Sequence, residues 1–234
     1  MKSIVALTLV LVMTSCELTD VVTKLPTDTI TEEEAALGLK DALSQGVTNG
    51  ADLVSKLDGY FGNPTIKIPW PQDAVKVMNT LNDLGLSKLV DDVVLTVNRA
   101  AEDAATRAKP IFINAITQMT IRDAIDILFG ADNAATEYLK RTTSDALRSE
   151  FRPVIQSSLD KVDATRHWDD AINAYNKVPF VEKMNPDLAG YVTQKAMDGL
   201  FFMVAKEEKK VREDPVARVT AIMKKVFGYR DRNK

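Results

Sequence analysis

The side chains able to do chemistry in this chain are few and poorly paired. One histidine, His167 in the run RHWDD, stands among 234 residues. A zinc site of the His-Glu-x-x-His type, or a carboxylate di-iron bundle, needs two histidine ligands, so neither fits within one chain. There is no Gly-x-Ser-x-Gly elbow, phosphate-cradling glycine loop or Gly-x-Gly-x-x-Gly turn, and no calcium loop of the Asp-x-Asp-x-Asp-Gly kind. His167 with Asp169 or Asp170 would form a dyad within one helix, but a surface histidine on an amphipathic helix reads the same way. Asp91-Asp92 and Asp169-Asp170 are adjacent pairs. Neighbouring residues diverge on a helix, so these read as solvated faces. We therefore expect no catalytic residue, cofactor or metal ligand. The many Asp and Glu residues leave a carboxylate-based hydrolase acting on glycan as the weakest of the functional readings.

One carboxylate is distinguished by its surroundings. Asp198 lies in AMDGLFFMVA, residues 196–205. On a helix its neighbours are positions 194, 195, 201 and 202. Apolar groups on several sides of this segment predict a central helix with Asp198 at least half buried. A buried carboxylate needs a cation or several donors. Arg99 and Arg141 are the candidate partners and Lys195 the alternative, forming a buried polar site. Gly199 would admit a close neighbour. A structural pair is the expected role of Asp198, with a ligand-binding carboxylate as the second reading.

A different chemistry is suggested by the only cysteine, Cys16, which ends the run MKSIVALTLVLVMTSC. Lys2 is a minimal positive start, residues 4–13 are apolar except for Thr8, and Thr14 and Ser15 are small. The run is shorter than the roughly 20 residues that span a bilayer and has the form of a secretory signal. With cysteine at its end it resembles the bacterial lipoprotein signal, in which the thiol and the newly freed amine receive acyl chains. Cys16 is accordingly the expected lipidation site, with residues 1–15 as signal peptide. A single cysteine cannot form an internal disulfide, and acylation would remove a free thiol from an oxidising compartment. Glu17, which is not the Asp of inner-membrane retention, points to the outer membrane.

The elements positioning these groups are helical. Residues 16–30 form a polar, Thr-rich tether, and residues 31–234 a single domain. Thr31 and Glu34 predict a capping box. Pro64, Pro69 and Pro71 forbid a helix through 63–70. There Ile66, Ile68 and Trp70 alternate with polar or proline positions, predicting an extended strap with three side chains buried and Lys67 exposed. Further helices are expected from Pro71 to the stop at Gly85, from Ser87 with an apolar and alanine face, from Ile111, and from the Thr120–Asp123 cap. Others should start at Asp132, Ser144, Asp163, Asp187 and Asp214-Pro215. The fold class is all-α, a multi-helical bundle of eight to ten helices. Its 45% hydrophobic content is enough for a real core. A net charge of −3 gives no reason to expect nucleic acid as a partner. Residues 206–234 hold ten basic and five acidic side chains. They read as a solvated face at Glu207, Glu208, Lys209 and Lys210, or as a patch steering toward anionic lipid.

From IPWP at 68–71 onward the chain resembles a bacterial family known as the domain of unknown function 4197. The matching runs are LVDDVVLTVNRAAEDAA (89–105), IFINAITQMTIRDAIDIL (111–128), AATEYLKRTTSDALRSEF (134–151), AMDGLFFMVAKEEKKVRED (196–214) and KKVFG (224–228). The resemblance implies an all-helical fold and a secreted or lipid-anchored place in the Gram-negative envelope. It implies no reaction, substrate or catalytic residue. Anchor, helices and scarce chemistry together predict a non-enzymatic binding or scaffolding module, held to the membrane by its N-terminal lipid, with an envelope protein or glycan as partner. A carrier of an apolar ligand between helices is the alternative. A large apolar cavity would mark the carrier, and a filled core with an exposed groove would mark the module.

Overall fold

Thr31 opens the first helix as its spacing with Glu34 predicts. The Thr31 hydroxyl accepts from the Glu34 amide, and the Glu34 carboxylate accepts from the Thr31 amide, each at 3.1 Å. This reciprocal cap satisfies two otherwise orphaned donors. The computed structural model describes residues 29–233, apart from positions 84, 86, 162–167, 170–171, 174–175, 178–182, 184 and 186. His167, Tyr175, Cys16 and the rest of residues 1–28 lie outside the described residues.

Among the described residues eight α-helices are delimited and no strand occurs. They are α1 (Glu32–Ser55), α2 (Val75–Asp83, entered by a 3-10 turn at Gln72–Ala74), α3 (Ser87–Ala105) and α4 (Ala108–Gln118). Then come α5 (Ile121–Leu128), α6 (Ala134–Asp160), α7 (Leu188–Glu213) and α8 (Ala221–Arg232), the last preceded by a 3-10 turn at Pro215–Ala217. Gly85, at φ +78°, ends α2 as expected for a left-handed stop. Thr120 and Asp123 form the second reciprocal cap, on α5. Asp187 caps α7 by accepting from the Gly190 amide at 2.8 Å.

One hydrophobic core runs through the bundle. α7 lies in its middle, packed against α1, α3 and α6. Ala100, Ala101, Ala104 and Ala105 of α3 are buried, and their small size lets α3 approach its neighbours closely. Two apolar clefts between helices hold only about 20 and 10 Å³. No helix of the described residues is long and apolar enough to cross a membrane.

Several expected boundaries move. The helices expected from Asp132 and from Ser144 are one, α6, because the Ser144 hydroxyl turns back to the Lys140 carbonyl at 2.6 Å instead of capping a new start. Pro153 sits inside that helix. Pro110 falls in the first turn of α4, where its missing N–H costs nothing. The 3-10 turn absorbs Pro215, so α8 starts later, with Thr220 as cap, and continues past Gly228 to Arg232. Val219 is consequently outside α8 and 64% exposed. Of the helix expected from Asp163, the described Trp168 and Ile172 are buried. The Trp168 ring lies 5.6 Å from that of Trp70.

Candidate functional site: a trough across α7

The strap buries the side chains its alternation predicts, Ile66, Ile68 and Trp70, and exposes Lys67. Only residues 67–70 are extended, however: 64–66 form a turn in which the Asn63 carbonyl accepts from the Ile66 and Lys67 amides at 3.1 and 2.8 Å. An extended segment without strand neighbours needs other partners for its buried backbone. Asn98 of α3 supplies them: its amide oxygen accepts from the Ile68 N–H and its amide nitrogen donates to the Ile68 carbonyl, both at 2.8 Å. Side chain thus replaces a β-ladder rung. One turn further along α3, the buried Glu102 accepts from the amides of Tyr60 and Phe61, at 3.0 and 3.1 Å. The Trp70 indole donates to the Val90 carbonyl, and the Tyr191 hydroxyl donates to that of Pro69.

α7 forms the other wall. The Tyr60 hydroxyl donates to the Ala196 carbonyl at 2.6 Å. Burial pushes that hydroxyl far above its ordinary value, with the charges of Glu102 and Asp198 acting in the same direction, so Tyr60 stays a neutral donor. Gly199 is where strap and helix meet. A Cβ there would come within 2.7 Å of the Tyr60 ring and 3.2 Å of the Ile66 Cβ. α7 nevertheless keeps one stripe out of the core, through Gln194, Lys195, Asp198 and Phe202. Phe202 is 47% exposed. An open depression of about 400 Å³ lies on its strap side, bounded by Lys67, Pro69, Lys195 and Gly199. A second, of about 330 Å³, lies on its α6 side, bounded by Asn133, Glu137, Lys140 and Ala205. Asp198 and Phe202 border both.

This geometry corrects the expected buried polar site. Asp198 is exposed and accepts from the Gln194 side-chain Nε2 at 2.8 Å. The apolar groups around it in sequence pack away from it, since Gly199 and not Asp198 faces the strap. Arg99 is engaged elsewhere, with Glu102 at 2.6 Å and Asp58 at 2.8 Å, and the Glu102 contact holds its guanidinium more firmly protonated. Arg141 is exposed and stacks on Tyr138 at 5.4 Å. The three residues do not converge. Lys195 borders the strap-side depression with Asp198, its ammonium 6.0 Å from the Tyr191 ring.

The true buried polar cluster lies at the far end of α7, among residues expected to be a solvated face. Glu207 and Glu208 are both buried. Glu208 accepts from the amides of Ala135 and Thr136 and from the Thr136 hydroxyl, so it caps α6. It also pairs with Arg212 at 2.9 Å. Arg212 donates to the carbonyls of Ile127 and Leu128 at the end of α5, and Arg230 donates to Leu128 as well. Arg218 donates to the Val211 and Arg212 carbonyls at the end of α7 and pairs with Asp231 at 2.8 Å. Carboxylate at a helix start and guanidinium at helix ends is the arrangement their dipoles favour. Burial lowers the affinity of the Arg230 guanidinium for its proton, and the charge of Arg212 adds to that. Periodicity could have found Glu208, which follows Leu200 and Val204 at helical spacing, and likewise Asn98 of the strap contact, which follows Val94 on α3.

Chemically, the trough offers an aromatic face at Phe202, cations at Lys67 and Lys195, and an acceptor at Asp198. The Lys67 ammonium stands 4.1 Å over the Phe61 ring, which Arg99 also faces at 5.5 Å. Among the described residues, no group of three or more His, Cys, Asp or Glu side chains converges as a metal-ligand set. No curated protein and no solved structure matches the chain. One family model does, that of a protein of unknown function, DUF4197, over residues 29–228. That span starts where the described bundle starts and ends inside α8. Since it takes in the strap, α7 and both walls of the trough, the chain belongs to the DUF4197 family.

Proposed function

We propose that this chain is a lipid-anchored envelope protein that acts by binding, and that its partner docks in the trough across α7. The observation that carries this reading is Phe202, half exposed between two open depressions. Large aromatic side chains are enriched among the anchors of recognition sites, and Phe202 lines both depressions. Lys67, Lys195 and Asp198 around it add charge selection. The partner is an envelope protein or glycan offering an apolar or ring face to Phe202 and acidic groups to the two lysines.

The sequence MKSIVALTLVLVMTSC supports the anchor, with acylation at Cys16, and Glu17 supports outer-membrane sorting. A carrier of apolar ligands is less well supported. Two apolar clefts between the helices hold only about 20 and 10 Å³, space for about one water, whereas a ligand pocket needs roughly 300–1,000 Å³.

Crosslinking in native cells, comparing wild type with Phe202→Glu, tests the proposal. Phe202 is exposed, so the variant should melt like wild type while losing a crosslinked species. An unchanged crosslinking pattern in a folded Phe202→Glu protein would reject the trough as the binding surface.

A further inference from the structure

Asp198 is exposed, yet it is held in place. Arg148 of α6 donates to the Gln194 side-chain oxygen at 3.0 Å, and the Gln194 Nε2 donates to the Asp198 Oδ1 at 2.8 Å. Supporting bonds of this kind fix the direction of a binding group before its ligand arrives. Oδ1 is engaged, and Oδ2 keeps its acceptor capacity on the border of both depressions.

Charge is divided unevenly between the two sides of Phe202. On the α6 side Lys140 pairs with Glu137 at 2.9 Å, so that border is neutralised except at Asp198. On the strap side Lys67 stands over the Phe61 ring and Lys195 faces the Tyr191 ring. Neither lysine forms an ion pair among the described residues. Two ammoniums there meet one carboxylate, so the strap side has room for one more negative charge and the α6 side for none.

The backbone excludes one kind of occupant. A peptide that adds to an extended segment needs free N–H groups along its edge. The Lys67 N–H is taken by the Asn63 carbonyl and the Ile68 N–H by Asn98. Pro69 has no N–H, and its carbonyl accepts from Tyr191. Recognition at the trough therefore falls to side chains: an aromatic ring, a fixed carboxylate and two ammoniums. A sugar chain suits that set, with an apolar ring face for Phe202, hydroxyls that donate to Asp198, and an acid group for the lysines.

We infer that the trough binds a glycan in which a carboxyl-bearing sugar adjoins a neutral one, the acidic ring on the strap side of Phe202 and the neutral ring on the α6 side. This deepens the binding reading given above and rests on it, choosing glycan over protein as the partner.

Calorimetric titration of the full chain purified from its native cell tests the inference. The probes are a tetrasaccharide alternating glucuronate with N-acetylglucosamine, the disaccharide of N-acetylglucosamine and N-acetylmuramic acid, neutral chitotetraose, and tetraglutamate. At least one carboxylated saccharide should bind more tightly than chitotetraose and tetraglutamate, and added salt should weaken it. Phe202→Ala should weaken that binding about fivefold or more. The double variant Lys67→Ala, Lys195→Ala should bind it no better than chitotetraose. All three side chains are exposed, so both variants should melt like wild type. If neither carboxylated saccharide binds, or chitotetraose or tetraglutamate binds as well, the inference is overturned. A protein crosslinked through position 202 in cells, without saccharide binding, would overturn the glycan and leave the trough standing. Failure of both crosslinking and saccharide binding would remove the trough as well.

Discussion

Asn98 does more for this fold than the residues first expected to matter. Replacing it by alanine strands the Ile68 N–H and carbonyl in the interior, at roughly 1–3 kcal/mol for each group. The Asn98→Ala protein should therefore melt well below wild type, given a total stability of about 5–15 kcal/mol. Asp198→Ala should shift stability by no more than about 0.5 kcal/mol, because the carboxylate is exposed. Thermal melts of the two variants side by side check both. Glu208→Ala leaves Arg212 buried without its carboxylate and uncaps α6, which should cost roughly 3–5 kcal/mol in a urea titration. The reason Asp198 misleads in the sequence is also visible at this scale. Large apolar neighbours on several sides of a helix mark it as central without saying which narrow stripe is left outside. Gly199 was legible as a contact point, but its contact is the strap and not a cation.

The elements were far more legible than the residues joining them. Both reciprocal caps, the Gly85 stop, the Asp187 start and the inward side chains of the strap stand where local rules place them, because these rules act over three or four positions. Ser144 and Pro215 depart because hydroxyl back-bonding and a 3-10 turn satisfy the same residues differently. Trp70→Ala should cost roughly 3–5 kcal/mol, as for large aromatic truncations, and calorimetry would measure it. At α7, Arg152 grips the Asp187 carboxylate at 3.0 and 3.1 Å and the Gly190 amide donates to it. The arginine holds it below its ordinary value of 3.8, with the amide acting in the same sense. A depressed folded-state value adds stability that is complete above 3.8 and lost as pH falls through the folded value. Both partners are about half exposed, so the contribution is under about 1 kcal/mol. Asp187→Asn should remove that part of the acid sensitivity below about pH 4 and change little in slope at neutral pH, as urea titrations across pH would show.

For the whole molecule, the all-helical class followed from periodicity, which Pro153 inside α6 does not interrupt. The trough did not, because it is made by three segments far apart in sequence: the strap, the middle of α7 and the start of α6. Exposure of Phe202 is decided by how these meet, and nothing within AMDGLFFMVA separates it from buried Phe201. The proposed anchor belongs to the same scale. The intact mass of membrane-extracted protein should show residues 1–15 removed and acyl chains added, and Cys16→Ala should abolish both changes. The most direct measurement of the binding proposal is photocrosslinking in the native cell. A photoreactive phenylalanine analogue is placed at Phe202 and, in a separate protein, at Leu53, an exposed position on α1. Position 202 should yield a discrete crosslinked partner and position 53 none. No adduct at 202, or the same adducts from both positions, would contradict the binding proposal.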